Sequence, residues 1–184
     1  PLPRFIRRHM VKHRQHKRFV ARDGVTKDTW DHVESGFFNA MRGMLSMLEN
    51  RPYLLGDTPS IADIGMMGPM LRHFGQDPTP AAIMRNDWPP MAEWVARVWN
   101  AHATAGETSL LDVVPDDAAP LLKEIGETHL VQLKENALAY GTGRKQFEMS
   151  VQGCAYKEMP VSRYRVYCLE RLREEFANLS DGNQ

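Results

Sequence analysis

Hydrophobic side chains recur every three or four positions along most of the chain, which is the spacing of one face of an α-helix. In residues 2–20 these positions are separated by basic residues, so the segment is predicted to be an amphipathic helix that ends near Gly24. A second apolar stripe runs to about Glu49, and Thr26 and Asp28 can cap the start of that helix. The chain is therefore expected to open with two helices.

The segment YLLGDTPSIADIG, residues 53–65, carries the signals that start a helix at a defined residue. Gly56 and Asp57 are typical of a turn. Ser60 and Asp63 have the spacing of a capping box, in which each side chain accepts a hydrogen bond from the backbone N–H of the other residue. Both residues are interpreted as structural N-cap groups and not as catalytic ones.

The helix that follows, residues 61–74, is apolar on nearly all sides, and this pattern predicts a buried helix. Gly65 and Gly68 would allow a neighbouring backbone to approach closely, and Pro69 removes one helical hydrogen bond. The methionines of this helix leave a second interpretation open, in which their side chains line a ligand cavity.

The second half of the chain begins with a segment rich in proline and glycine, residues 75–87, which is interpreted as a connection. Helices are predicted over residues 88–100, opened by two prolines, and over residues 117–140, where Gly141 is a natural end.

Near the C-terminus the apolar spacing changes from three or four positions to two. Residues 147–151 alternate between apolar and polar, and Gln152 and Gly153 then turn the chain, which predicts a β-hairpin. A last helix is predicted over residues 162–179. The fold class indicated by all these elements is mainly α, a helical bundle with a small β-hairpin near the C-terminus.

The predicted elements divide the chain into a helical domain, residues 1–112, and an extension of helix, hairpin and helix, residues 113–184, that packs on it.

With 184 residues, 42% hydrophobic and 25% charged, the composition is that of an ordinary soluble protein. The apolar runs are far shorter than the roughly 20 residues of a membrane helix. A cytoplasmic protein with no membrane partner is therefore expected. Cys154 and Cys168 indicate neither a disulfide framework nor a cysteine zinc site.

The net charge of zero hides an uneven distribution of charged residues. Residues 1–22 contain eight lysines and arginines and no acid, which leaves 15 basic and 23 acidic residues, a net charge of −8, in the remainder. This basic first helix could bind an anion or face acidic neighbours, and the sequence leaves both interpretations open. The helix lacks interleaved exposed aromatic residues and the whole chain is neutral, so no nucleic-acid partner is expected.

Three histidines of the first helix, His9, His13 and His16, have a spacing that could form a metal site. The many lysines and arginines around them would repel a divalent cation, so no metal is expected. The interpretations that remain are a face that packs against another domain beside a substrate cleft, and a plain packing face.

The segment MLENRPYLLGDTPSIADIGMMGPMLRHF, residues 47–74, resembles part of the C-terminal helical domain of the glutathione S-transferase family. In that family a long helix leads into a Leu-x-x-x-x-Tyr-Leu-x-Gly-Asp phrase, and the next, buried helix begins with Ser-x-Ala-Asp. The positions that match these two phrases are Leu48, Tyr53, Leu54, Gly56, Asp57, Ser60, Ala62 and Asp63. Residues 88–100 are similar to the family's following helix, and the resemblance extends over about residues 1–105.

The resemblance implies that glutathione is a cosubstrate, and it also implies that the domain which binds glutathione in the family is not part of this chain. Members of the family carry an N-terminal thioredoxin-like domain of about 80 residues, a normal domain size, which binds glutathione and supplies the catalytic Tyr, Ser or Cys. No such segment precedes the first helix here, so no catalytic residue is expected in this chain, and its own thioredoxin-like domain is an expected partner.

Two functional interpretations follow from the resemblance. In the first, the chain shapes the acceptor site of a glutathione transferase, which conjugates glutathione to small electrophiles or uses it as a reductant. Glutathione and many acceptors are anions, so the candidates for substrate binding are the basic residues Arg7, Arg8, Lys12 and His13. In the second, the chain is a non-catalytic module for protein interaction. A homodimer that uses the helix of residues 28–49 is a further expectation from the family.

Overall fold

The computed structural model of the protein describes residues 2–102 and 109–179. It is mainly α-helical with one small two-stranded antiparallel sheet near the C-terminus, which confirms the predicted fold class. Among the described residues, no helix has both the length and the apolar character needed to cross a membrane. The α-helices are α1 (Arg4–Gln15), α2 (Trp30–Leu48), α3 (Ile61–Pro69), α4 (Pro78–Asn86), α5 (Pro89–Trp99), α6 (Ala119–Glu127), α7 (His129–Gly141) and α8 (Arg163–Ala177).

The chain divides into two compact units: unit 1 contains Pro1–Gly36 and Glu124–Gln184, and unit 2 contains Phe37–Lys123. This grouping differs from the predicted division after residue 112. The turn at Gly24 lies against the C-terminal hairpin, so closely that a Cβ added there would meet Met159 and Tyr156. These contacts place the first residues of the chain in the same unit as the hairpin.

Helix α1 of unit 1 continues through a π-helical turn, His16–Val20, and a 3-10 turn, Ala21–Asp23. It ends at Gly24, as predicted, because that residue adopts a left-handed conformation with φ of 85°. The turn before α2 is held by Thr29, whose buried hydroxyl accepts from the N–H of Thr26 at 2.8 Å and donates to the carbonyl of Gly24 at 2.6 Å. The hydroxyl of the predicted Thr26 also takes part and accepts from the N–H of Asp28 at 3.3 Å.

The sheet of unit 1 is the predicted hairpin, with strands β1 (Gln146–Val151) and β2 (Cys154–Pro160). Both turn residues, Gln152 and Gly153, have positive φ angles of 50° and 83°, the geometry of a two-residue hairpin turn. One face of the hairpin packs into a core cluster of this unit, whose buried residues are Ala139, Phe147, Val151, Tyr156 and Met159.

Unit 2 is built around α5, against which α3 and α4 pack. Its buried side chains are largely methionine, with one tryptophan at the centre. The buried apolar residues are Met41, Met44, Met47, Leu54, Met70, Ala81, Met84, Met91, Trp94, Val95, Val98, Ala118 and Leu121.

Helix α4 was missed by the sequence analysis, which interpreted residues 75–87 as a connection. Proline at the first helical position is compatible with a helix, since the N–H that it lacks has no intrahelical partner there. Ala81 and Met84 are buried, one turn apart, and tertiary packing of this short face stabilises the helix.

The single helix predicted over residues 117–140 is also wrong, because the chain breaks into α6 and α7 at Thr128. The Thr128 hydroxyl donates to the carbonyl of Glu124 at 2.6 Å, a local bond that competes with regular helix geometry.

Helix α3 ends in a π-helical turn, Met70–Phe74, directly after Pro69, which has no N–H to continue the α-helical pattern.

The predicted burial of α3 holds for one face only. Met70 and Asp63 are buried, whereas Ile61 is 89% exposed and Ile64 is 60% exposed. A Cβ added at Gly65 or Gly68 would meet nothing within 4 Å, so no backbone of the described residues approaches these glycines.

Candidate functional site

The carboxylate of Asp63 is the centre of a buried polar cluster in unit 2. Its Oδ2 accepts from the N–H of Ser60 at 2.9 Å and from the Ser60 hydroxyl at 2.7 Å, and the Ser60 oxygen accepts in turn from the Asp63 N–H at 3.4 Å. Both hydrogen bonds of the predicted capping box are therefore present.

The same carboxylate makes two bonds that the sequence did not reveal. Its Oδ1 accepts from the backbone N–H of Leu54 at 2.8 Å and from the indole N–H of Trp94 at 3.0 Å. Asp63 and Trp94 are fully buried. A buried tryptophan needs an acceptor for its N–H, and that requirement is the one signal from which this pair could have been suspected.

These contacts give Asp63 a structural role. Its two oxygens receive four donors, and no part of the residue is exposed to solvent or to a substrate. The negative charge lies at the start of α3, where the helix dipole is positive. The cluster thus fixes the start of α3 and ties that start to the 53–57 turn and to α5.

A second cluster holds the residues after α2. Arg51 makes a bidentate ion pair with Asp117, at 2.9 Å and 2.5 Å, and its Nε donates to the carbonyl of Leu54 at 2.8 Å. The hydrogen bonds from Arg51 are the main reason why the pKa of Asp117 lies below its ordinary value, and a bond from Asn50 adds to this. Sequence reasoning missed the pair because its two members are 66 positions apart.

The substrate-binding candidates of the sequence analysis, Arg7, Arg8, Lys12 and His13, all lie on α1 in unit 1, and all are exposed. Arg8 and Lys12 are one helical turn apart and form a continuous cationic strip. Helix α1 buries none of its residues, so its apolar face is also open. The arrangement can attract an anion but does not by itself enclose one.

The histidines of α1 are brought together in part. The rings of His9 and His13 are stacked with their centroids 6.3 Å apart. His16 belongs to the π-helical turn that follows. Within residues 2–102 and 109–179, no group of three or more histidine, cysteine or acidic side chains is arranged to hold a metal ion.

A polar chain in unit 1 was also missed by the sequence analysis. The ring of His32 bonds through Nδ1 to the hydroxyl of Tyr156 at 2.6 Å and through Nε2 to the Oε1 of Gln152 at 3.1 Å. The amide nitrogen of Gln152 donates to Glu124 and Glu127, each at 3.1 Å. Because Gln152 Oε1 can only accept, His32 Nε2 carries a proton, and in neutral His32 the Tyr156 hydroxyl donates to Nδ1.

This chain anchors the hairpin to the start of α2. Tyr156 is buried at 6% exposure, and burial raises the pKa of its hydroxyl, with a smaller contribution from Cys154. The hydroxyl is thus a proton donor at neutral pH, which is the state that the bond to His32 requires.

Asn136 fixes the segment between the hairpin and α8. It is fully buried; its amide nitrogen donates to the carbonyl of Ser162 at 2.9 Å, and its oxygen accepts from the N–H of the same residue at 2.8 Å. Two bonds to one residue define the position at which α8 begins.

We expect Asn136→Ala to destabilise unit 1 by about 2 kcal/mol, because the Ser162 backbone loses both partners. Hydrogen exchange of peptides from the hairpin and α8, measured by mass spectrometry, should become faster in this variant. Asn178→Ala, which changes an exposed asparagine just after α8, is the matched control. Equal exchange in the two variants would contradict the role given to Asn136.

Comparison with known families identifies part of the chain. Residues 27–97 match the model of the family described as "Glutathione S-transferase, C-terminal domain". The match confirms the predicted resemblance to the glutathione S-transferase C-terminal domain for these residues. Neither the curated proteins nor the solved structures contain a match to the chain.

The transferase-like segment contains α2, α3, α4 and most of α5, and it includes the capping box at Ser60 and Asp63. Helix α1, the hairpin and α8 lie outside the matched residues. The basic residues of α1 are therefore not covered by the family match, and a role for them in substrate binding is a separate question.

Proposed function

We propose that this chain is the helical part of a glutathione transferase-like enzyme, and that it shapes the site for a small electrophilic acceptor. The observation that carries the proposal is the family match over residues 27–97, within which the capped start of α3 is intact. Glutathione is the proposed cosubstrate, bound mainly by a thioredoxin-like domain that also supplies the catalytic residue. The proposed location is the cytoplasm, and the proposed assembly is a homodimer in which α2 takes part.

The exposed face of α3 is the proposed contact for the thioredoxin-like domain. Ile61 and Ile64 place two large apolar side chains in solvent, and the helix surface beside Gly65 and Gly68 is open. Exposed apolar surface of this kind is typical of an interface. The buried face of the same helix carries Asp63, so a partner that contacts Ile64 would contact a helix whose start is fixed.

The basic strip of α1 is the proposed source of attraction for anionic ligands. Arg7, Arg8, Lys12 and His13 are exposed, and residues 1–22 contain no acid that would neutralise them. Guanidinium groups form bidentate bonds with carboxylates, and the lysine adds a point charge. Glutathione and acidic acceptors are both anions, so either could gain from this charge.

The function can be tested on the natural full-length gene product, purified from its source. Its intact mass shows whether a further domain is present, and retention on immobilised glutathione tests the cosubstrate. Turnover is then measured with a neutral electrophile, 1-chloro-2,4-dinitrobenzene, and an acidic one, ethacrynic acid. Retention together with turnover is the expected result. A protein that neither binds glutathione nor turns over either electrophile would favour the non-catalytic interaction module.

The α1 residues have their own test within this assay. Arg8→Gln and Lys12→Gln should each lower kcat/KM for ethacrynic acid by about three- to ten-fold, with a smaller effect on the neutral electrophile, because a charge-assisted contact is lost. Lys157→Gln, an exposed lysine on β2, is the control for a general change of charge. Equal losses for both electrophiles would count against a direct role of α1 in acceptor binding.

A further inference from the structure

A groove of about 340 Å³ lies in unit 1, where the helical turns after α1 meet the segment that leaves β2 and enters α8. One wall is formed by Phe19, Arg22 and Asp23, and the other by residues 160–162, Tyr164 and Arg165. These residues have no part in the transferase function proposed above, and they lie outside the segment that matches the family.

The polar groups of the groove give it an excess of positive charge. Arg165 donates to the carbonyl of Pro160 at 3.4 Å and lies 3.7 Å from the carboxylate of Asp23, with 23% of its side chain exposed. Arg22 is exposed on the other wall. Two guanidinium groups thus line the groove with one carboxylate, and the contact to that carboxylate is longer than a normal hydrogen bond.

The charge of Arg165 acts on groups beyond Asp23. The pKa of His129 is lowered mainly by burial and in part by the positive charge of Arg165. The carboxylate of Asp23 is 69% exposed and 3.7 Å from Arg165, so this ion pair is weak and the guanidinium can bind a second anion.

Aromatic side chains stand on both walls. Phe19 is 51% exposed and Tyr164 is 72% exposed, so both rings present surface to a ligand. Aromatic and guanidinium groups at one site favour a planar ligand with a negative group, because the rings provide stacking surface and the guanidinium provides directed hydrogen bonds.

The wall formed by residues 160–162 and Arg165 is well anchored. Buried Asn136 holds both backbone groups of Ser162, and Val161 donates its N–H to the carbonyl of Lys145 at 3.0 Å. A wall that is ordered before binding lowers the conformational cost of holding a ligand.

We propose that this groove binds a small aromatic anion, a ring that carries a phosphate, sulfonate or carboxylate, with Arg22 and Arg165 on the anionic group and Phe19 and Tyr164 on the ring. The site is distinct from the acceptor site proposed on α1, since it uses none of Arg7, Arg8, Lys12 and His13.

Binding can be measured by isothermal titration of the full chain with 1-naphthyl phosphate, which combines a ring and an anion. 1-Naphthol supplies the ring alone, and inorganic phosphate supplies the anion alone. We expect the combined probe to bind at least about ten-fold more tightly than either part, and its affinity to fall as salt is added. An affinity equal to that of 1-naphthol or of phosphate would overturn the two-part site.

Two substitutions test the charges in opposite directions. Arg22→Gln should weaken binding of 1-naphthyl phosphate about ten-fold through loss of a charge-assisted contact. Asp23→Asn should strengthen binding several-fold, since it removes the competing carboxylate beside Arg165. A gain of affinity cannot result from misfolding, which keeps the proposal testable even if Arg165 variants are unstable.

Matched controls are available among exposed residues that do not line the groove. Arg163→Gln removes an exposed arginine from the first turn of α8, and Phe5→Ser removes an exposed ring from α1. Both should bind 1-naphthyl phosphate within about two-fold of the unchanged chain. If Arg163→Gln weakens binding as much as Arg22→Gln, or if Asp23→Asn leaves the affinity unchanged, the attraction is diffuse and the proposed site is wrong.

Discussion

Replacement of Asp63 by alanine is expected to lower the free energy of unfolding of unit 2 by about 3 to 5 kcal/mol. The substitution removes the acceptor of four donors, and three of these, the N–H groups of Leu54 and Ser60 and the indole N–H of Trp94, would be left buried without a partner. Each unsatisfied buried group costs about 1 to 3 kcal/mol, so the loss exceeds that of a helix cap alone.

Guanidinium chloride unfolding followed by tryptophan fluorescence measures this effect, because three of the four tryptophans, Trp88, Trp94 and Trp99, belong to unit 2. Asp57→Ala, which removes an exposed carboxylate six positions earlier, is the control and should shift the midpoint little. Ser60→Ala should give an intermediate loss of about 1 kcal/mol. If Asp63→Ala unfolds at the same denaturant concentration as the unchanged chain, the capping cluster does not stabilise the unit.

Replacement of Gly56 by alanine should destabilise the same unit by about 3 kcal/mol, through steric conflict and not through loss of a bond. Gly56 has a φ of 152°, which side-chain-bearing residues rarely adopt. A Cβ at this position would collide with the carbonyl oxygen of Ser109 and lie 2.9 Å from the Cα of Leu110. Both obstacles are backbone, which cannot move aside as a flexible side chain does.

The chain offers a matched control for this substitution. Gly65→Ala adds the same methyl group inside α3, where it would meet nothing within 4 Å. Alanine is the better helix former, so this variant should be unchanged or more stable by up to about 1 kcal/mol. Thermal unfolding of the two variants side by side should therefore show opposite shifts. A similar loss in both would mean that the packing of Gly56 against Ser109 is not what makes glycine necessary.

The features that the sequence predicted correctly depend on residues close together in the chain. The capping box needs only Ser60 and Asp63, and the hairpin turn needs only Gln152 and Gly153 between alternating strands. The end of the first helical stretch depends on Gly24 alone. In each case the local hydrogen bonds or φ angles have few alternatives, so a short segment is sufficient to indicate the structure.

The errors arose where local signals were weak or misleading. The prolines and glycine around α4 are typical of a connection, but the packing of the buried residues Ala81 and Met84 stabilises a helix there. A continuous apolar pattern across residues 117–140 concealed the break at Thr128. Apolar composition on all sides of α3 indicated burial of Ile61, which is exposed.

The sequence by itself determined where most helices begin and end, the hairpin, and a family resemblance that the match over residues 27–97 supports. Only the tertiary structure decided which distant groups meet: Asp63 with Trp94, Arg51 with Asp117, and the two walls of the groove at Arg22 and Arg165. Caps and turns are fixed by hydrogen bonds between residues that are close together in the chain, so a short segment of sequence is enough to predict them. Pairings across tens of residues depend on how whole elements pack, and no local pattern records that packing.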